Sequence, residues 1–305
     1  MMSVYIIIVT YNAMKWAEKC FSSLRKSSFP MQVIVIDNCS EDGTQEYIKN
    51  NFPEVNFIQN QENLGFGKAN NIGIEIAYKN GADFFYLMNQ DAWIYENSIQ
   101  KLLDVYETHP RKSEIGILSP MHLDGSEKKL DIFLDKYISQ NFETRMISDF
   151  YLNSPKPYYE ISFINAAHWF IPKDTIEKVG GFNPYFFHYG EDNEYVNRLH
   201  FHHKKILLCT NSKVVHDGKQ ELGKVDYQKF KNNFLEIKIL NPGYKNGLQK
   251  ELKSLQLSRA KHFLKGNLQF AKELNSSYKK IKSESINLKK LQQEASQEGS
   301  TFLNL

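Results

Sequence analysis

Ile6-Ile7-Ile8-Val9-Thr10-Tyr11-Asn12 is the stretch that decides how this chain folds. Four β-branched residues in a row are too few for a helix and suit a strand buried on both faces. Polar residues follow at once. The same change recurs where Val33-Ile34-Val35-Ile36 runs into Asp37-Asn38-Cys39-Ser40, and where Phe84-Phe85-Tyr86-Leu87-Met88 runs into Asn89-Gln90-Asp91. Val55 to Ile58 gives another strand, ahead of a loop at Asn63. Helical segments fill the intervals near 14–27, 42–52 and 68–80, with Ser40 or Asp42 as a cap for the second. Strand and helix thus alternate to about residue 110, which predicts a parallel sheet wound by βαβ crossovers. Ligands of such sheets bind outside the carboxyl ends of the strands. Four polar strand ends are therefore expected to converge on one crevice.

Beyond about residue 115 the rhythm changes. Short strands near 115–119 and 160–164 flank a turn-rich stretch. Val179-Gly180-Gly181-Phe182-Asn183-Pro184 and an aromatic run lead to Glu191-Asp192-Asn193-Glu194, which opens a helix to about 203. Ile206–Cys209 and Lys213–Val215 read as the last strands, with His216 just past the second. From 226 to about 295 the pattern is helical, and the last ten residues read as disordered.

The chain has 305 residues, 41% apolar and 24% charged, the composition of an ordinary globular protein. Its first apolar run is too short for a signal peptide or a membrane span. Cys20, Cys39 and Cys209 lack CxxC spacing, so neither a disulfide framework nor a zinc site is indicated. A cytoplasmic protein is expected. From Glu221 onward there are 16 Lys and Arg against 8 Asp and Glu, although the whole chain is only +3. This asymmetry divides the sequence into a region 1–220 and a basic helical extension 221–305.

Ile7-Ile8-Val9-Thr10-Tyr11-Asn12, Val35-Ile36-Asp37-Asn38-Cys39-Ser40-Glu41-Asp42-Gly43-Thr44 and Asn63-Leu64-Gly65-Phe66-Gly67-Lys68-Ala69-Asn70-Asn71-Ile72-Gly73 resemble the successive signatures of glycosyltransferase family 2. Asn89-Gln90-Asp91, Gly180-Gly181-Phe182 and Gly190-Glu191-Asp192 continue the series, and the whole is similar to its rhamnosyltransferase-like branch. The resemblance covers roughly the first 220 residues. It implies a GT-A fold: an α/β, mostly parallel wound sheet flanked by helices, here with a C-terminal helical extension. It also implies a nucleoside diphosphate sugar donor (UDP- or dTDP-linked), a divalent metal (Mg²⁺ or Mn²⁺), and inversion at the anomeric carbon. The acceptor would be a hydroxyl of a glycan or lipid-linked saccharide in polysaccharide biosynthesis, and no nucleic-acid partner is expected.

Residue by residue, the resemblance places Thr10, Tyr11, Asn12 and Asp37 at the nucleotide, with Asn63, Gly65, Lys68, Asn70 and Asn89 also on the nucleotide sugar. Asp37 equally suits an Asx-turn before the next helix. Glycines near Asn63 would let backbone approach the ligand, and Lys68 would face the diphosphate. Asp91 is the expected metal ligand, because a hard cation must neutralise the leaving diphosphate. His216 would complete that site or is a structural histidine. Asp192 is the expected general base, kept ionised by a helix N-terminus. Trp169 and Glu191 fall to the acceptor, although Trp169 equally suits a core.

Glu191 and Asp192, adjacent on one helix, do not suit glycoside hydrolysis, which needs two carboxylates facing one bond. Two other readings remain open: a sugar nucleotidyltransferase, which needs a phosphate loop not seen after the first strand, and a nucleotide-sugar binding protein without turnover. Leu257, Ala260, Leu264, Leu268, Ala271, Leu274, Tyr278 and Ile281 lay an apolar stripe along one helix face, with lysines mostly off it. The stripe predicts an appendage that packs or forms a homo-oligomer first. Weak peripheral contact with the inner face of the membrane, through charge, comes second.

Overall fold

The computed structural model describes residues 2–218 and 227–305. The boundary expected at 220/221 lies outside the described residues. Strands and helices alternate through β1 (Val4–Thr10), α1 (Met14–Arg25), β2 (Gln32–Asp37), α2 (Thr44–Asn51), β3 (Asn56–Gln59), α3 (Phe66–Lys79) and β4 (Phe84–Asn89). Then come β5 (Ala92–Ile94), α4 (Ser98–Thr108), β6 (Ile115–Leu123), α5 (Ile132–Gln140), α6 (Met146–Tyr151), β7 (Tyr158–Ile161), β8 (His168–Pro172), α7 (Lys173–Val179), α8 (Glu191–Phe201) and β9 (Lys205–His216). The chain closes with α9 (Tyr227–Leu240), α10 (Gly247–Leu264), α11 (Leu268–Ser283) and α12 (Ser285–Ala295).

Among the described residues the strands form one sheet in the order β3-β2-β1-β4-β8-β6-β9-β5, with β7 also paired to β9. The β3-β2-β1-β4 half is parallel throughout. Beyond it β8 runs antiparallel to β4, and β5 antiparallel to β9. Alternate residues of β1 serve opposite faces, as the two-residue period of a strand requires. Ile7 joins the apolar layer that includes α3 and α8, whereas Ile6 and Ile8 join the layer that includes α1 and α4.

The turn-rich stretch expected after β6 contains α5 and α6. The two last strands read from sequence are one strand, β9. Thr210-Asn211-Ser212, polar and so read as a break, are absorbed by a register shift opposite Pro120 and Met121.

A third apolar cluster joins the C-terminal helices to the rest. Phe186, just ahead of α8, packs with Ile237 and Leu240 of α9, Leu248 of α10, Ile281 of α11 and Leu288 and Leu291 of α12. The final residues are ordered, contrary to expectation. Thr301 O accepts from Gly181 N at 2.9 Å, Asn71 Nδ2 donates to Phe302 O at 3.2 Å, and Asn304 N donates to Glu75 Oε1 at 3.0 Å. The stripe does not lie on one helix. Gly266, at φ +74°, turns α10 back onto α11, so Ala271 and Ile281 are buried while Leu257, Leu264 and Leu268 are exposed.

Candidate active site

The carboxyl ends of β1, β2 and β4 are stitched together by side chains that the sequence placed there. Asp37 has no exposed surface and acts as the hub. Its Oδ1 accepts from Thr10 Oγ1 at 2.7 Å and from Ser40 Oγ at 2.6 Å, and its Oδ2 accepts from Ser40 N at 3.0 Å. Thr10 is equally buried. Both side chains are buried and hydrogen-bonded within the protein, so they brace the frame of the crevice. Asn12 Oδ1 accepts from Glu41 N at 2.9 Å, locking the first loop to the second. Tyr11 is 48% exposed, and its backbone is clamped by Gln90, which accepts from Tyr11 N at 2.7 Å and donates to Tyr11 O at 3.1 Å.

The Asn63 loop departs from expectation. A Cβ on Gly65 would come within 2.2 Å of Phe187 O, one on Gly67 within 3.0 Å of Phe182, and one on Gly73 within 2.4 Å of Ile7. These glycines let other parts of the protein come close. Asn63 Oδ1 accepts from Gly65 N at 2.9 Å, which shapes the turn. Asn70 is 1% exposed and donates to Phe66 O, so it too is internal. Lys68 is exposed.

At the next corner, β5 pairs antiparallel with β9 so that Ala92 lies opposite His216. That register brings Asp91 beside His216, with Oδ1 3.7 Å from Nε2. Asp217 N donates to Asp91 O at 2.8 Å and holds the turn. The other imidazole nitrogen, Nδ1, lies 3.2 Å from Asp131 Oδ2. Asp131 is fully buried, and its Oδ1 caps α5 by accepting from Phe133 N and Leu134 N. Burial by itself depresses the His216 pKa, but the Asp131 hydrogen bond and the charges of Asp91, Asp131 and Asp217 outweigh it, so the net shift is upward.

Asn89 Nδ2 is 3.5 Å from His216 Nε2, and the buried Asn89 Oδ1 has no hydrogen-bond partner among the described residues. Among the described residues no group of three or more His, Cys, Asp or Glu is placed to enclose a metal. One carboxylate and one oriented imidazole nevertheless fit a divalent cation that must keep positions open for diphosphate oxygens.

Asp192 stands in the first turn of α8. Its Oδ1 accepts from Asn193 N at 2.7 Å and Asn193 Nδ2 at 2.9 Å. Burial raises its pKa, and those hydrogen bonds only partly offset the shift. Burial, then the charge of Asp192, also raises Glu191 well above the carboxylate range. Tyr137 of α5 is pushed up by burial and then by the charges of Asp192 and Asp131, which places all three in one electrostatic neighbourhood. Gly190, at φ +110°, turns the chain into α8, and a Cβ there would meet Ile237 and Phe186 at 3.0 Å.

With this geometry in view, residues 5–180 match the family model described as glycosyl transferase family 2. The chain belongs to that family. A curated relative, the N-acetylglucosaminyl-diphospho-decaprenol L-rhamnosyltransferase of Mycobacterium tuberculosis, is 26% identical over 216 residues, 64% of this chain and 69% of the relative. Among solved structures, residues 1–349 of TarS from Staphylococcus aureus superpose with a TM-score of 0.54 at 16% identity, over 80% of this chain and 65% of that one. The same fragment with UDP-GlcNAc gives a TM-score of 0.53 at 15% identity, over 94% and 92% of the two chains. The mannosyltransferase PcManGT of Pyrobaculum calidifontis, solved with GDP-Man and Mn²⁺, gives 0.53 at 14% identity, over 82% and 64%. These likenesses establish a GT-A fold.

In this glycosyl transferase Trp169 is no acceptor platform. It is fully buried in β8, stacked on Phe182 at 5.8 Å and packed against Tyr195. Glu191 is 6% exposed, and its buried Oε2 has no hydrogen-bond partner among the described residues. The sequence reading also passed over residues that hold the transferase site together. Asp131 lies in a stretch that reads as turns in the sequence, whereas the structure places it at the start of α5. Arg198 is fully buried, pairs with Glu194 at 2.9 Å, and donates to Val179 O and Gly181 O at 2.5 Å each, so it ties α8 to the Gly180-Gly181 turn. The i, i+4 spacing of Glu194 and Arg198 was the available signal.

Behind His216 stands a wall of neutral histidines. Tyr86 Oη donates to His168 Nδ1 at 2.6 Å, His168 Nε2 donates to Val215 O at 3.1 Å, and burial holds the His122 pKa down to about 3.

Proposed function

We propose that this glycosyl transferase is an inverting, metal-dependent enzyme. It would move a sugar from a UDP- or dTDP-linked donor to a hydroxyl of a glycan or lipid-linked saccharide. The observation that carries the reading is the pairing of Asp91 with an Asp131-oriented His216, with Tyr137 close enough to feel the charges of both Asp131 and Asp192. Asp192 Oδ2 takes no hydrogen bond among the described residues, which suits it to accept a proton. As it removes the acceptor hydroxyl proton, the oxygen attacks the anomeric carbon from the face opposite the diphosphate. The carbon–oxygen bond to the diphosphate breaks, the nucleoside diphosphate leaves, and the configuration inverts.

Asp91 and His216 would hold the cation, which when bound neutralises charge gathering on the departing diphosphate. Exposed Tyr11 at the mouth of the Thr10–Asp37 frame suits stacking on a base. Asn89 Oδ1 and Glu191 Oε2, both buried acceptors without donors, suit the hydroxyls of a sugar. The mycobacterial relative, named for a lipid-linked acceptor, and the TarS fragment bound to UDP-GlcNAc support these substrate classes.

The test is a thermal-shift screen of nucleoside diphosphate sugars with and without Mn²⁺, followed by turnover. A donor that raises the melting temperature only with metal, and is then slowly hydrolysed, is the expected outcome. Metal-independent binding without any hydrolysis or transfer would instead identify a nucleotide-sugar binding protein.

A further inference from the structure

The α10–α11 hairpin ends in a surface that no other element covers among the described residues. Every residue from Phe263 to Phe270 is exposed, including Phe263 at 64%, Leu264 at 85% and Leu268 at 54%. The tip is not a frayed end. Behind it the hairpin is held by buried Leu255, Ala271 and Ile281, and by Arg259, whose Nη1 donates to Asn275 Oδ1 at 2.6 Å. The fold therefore presents large apolar side chains to the outside on a fixed support, which a protein does where it meets something apolar.

The surrounding charge selects the partner. From Leu252 to Lys272 the sequence carries Lys253, Arg259, Lys261, Lys265 and Lys272 and no Asp or Glu. Among the described residues, the ion pairs of these C-terminal helices fall elsewhere, on Lys238, Lys280 and Lys290. Two copies meeting tip to tip would set one block of cations against an identical one, since a two-fold interface repeats the same patch. An anionic surface with an apolar interior suits both features. No helix is long and apolar enough to cross a membrane among the described residues, so any contact through this hairpin is peripheral.

We propose that the α10–α11 tip docks on an anionic lipid bilayer. Phe263, Leu264 and Leu268 enter the headgroup boundary, and Lys261 and Lys265 lie against the phosphates. This inference does not depend on the transferase reading. It reverses the order expected from sequence, where packing or self-association came first, because the expected stripe is split by Gly266 and its exposed half is the tip.

The experiment is sedimentation of the full chain with vesicles of phosphatidylcholine alone or mixed with phosphatidylglycerol, over a salt series. Binding should require the anionic lipid and fall steeply as the Debye length shrinks from about 30 Å at 0.01 M to about 8 Å at 0.15 M. Phe263→Ser/Leu264→Ser/Leu268→Ser and Lys261→Glu/Lys265→Glu should each lower the partition coefficient about tenfold or more with unchanged melting temperature. All five side chains are exposed, so both variants should fold. Absence of binding to anionic vesicles at low salt would overturn the proposal. So would binding that survives both sets of substitutions, or a loss of self-association in the serine variant without any vesicle binding.

Discussion

Asp131 Oδ2 lies 3.2 Å from His216 Nδ1 while Asp131 Oδ1 caps α5. One buried carboxylate thus sets the imidazole and starts the helix that carries Tyr137. With Nδ1 held by Asp131, Nε2 is the nitrogen turned toward Asp91. In Asp131→Asn the amide oxygen can still cap α5, but the amide NH₂ would face Nδ1 and favour the tautomer that carries its proton on Nε2. Mn²⁺ affinity in the presence of nucleoside diphosphate should fall about 10- to 100-fold, as for other carboxylates behind a metal-ligating histidine. Calorimetric titration checks this, and wild-type affinity in the variant would reduce Asp131 to a helix cap.

Asp91→Ala should abolish the metal-dependent part of donor binding and leave the melting temperature close to wild type. The side chain sits in a turn that is fixed instead by its backbone, through Asp217 N. Donor titrations with and without Mn²⁺ separate the two contributions. If the variant responds to Mn²⁺ as the wild type does, the cation is held elsewhere.

Asp192→Asn should keep donor affinity and lose transfer by roughly 10²-fold or more, the usual effect of removing a general base. The pH profile adds a second readout. Burial raises the Asp192 pKa, and the base works only when deprotonated, so transfer should fall on the acid side at a pH above the ordinary Asp value. Because Glu191 titrates beside it, that limb belongs to the pair. A pH-rate profile flat down to the ordinary carboxylate range would point to a different base.

Arg198→Met should cost about 3–5 kcal/mol in urea denaturation, because Glu194 would be left charged and buried without its partner. Adding Glu194→Gln should recover part of that loss by removing the stranded charge. If the single variant is as stable as wild type, the Gly180-Gly181 turn does not rely on this pair.

Gly190→Ala probes how the C-terminal helices support the base. The backbone there has φ +110°, and the new methyl would press on Ile237 of α9 and on Phe186. A loss of roughly 1–3 kcal/mol in stability is expected from the conformation alone. Transfer should fall more than donor affinity, since Asp192 follows two residues later. Equal losses in kcat and in donor binding would place the effect on the whole cleft instead.

The sequence by itself determined the parallel half of the sheet. Runs such as Ile6–Val9 suit buried strands, and in a parallel sheet the polar residues that end them share one edge. It also determined the positions of Asp91, His216 and Asp192, because each stands at a strand end or helix start that local pattern makes legible. What it left open was which polar residues look outward. Asp37, Thr10 and Trp169 have the right chemistry for ligands, yet Thr10 bonds Asp37 across two strands and Trp169 stacks on Phe182, partners that only the tertiary structure supplies. Asp131 lay in a stretch with no clear period, so neither its helix nor its reach to His216 was visible. The C-terminal stripe followed helical spacing through a single glycine. Spacing records which residues would share a face, whereas Gly266 and the packing around Phe186 decide which half of that face is buried.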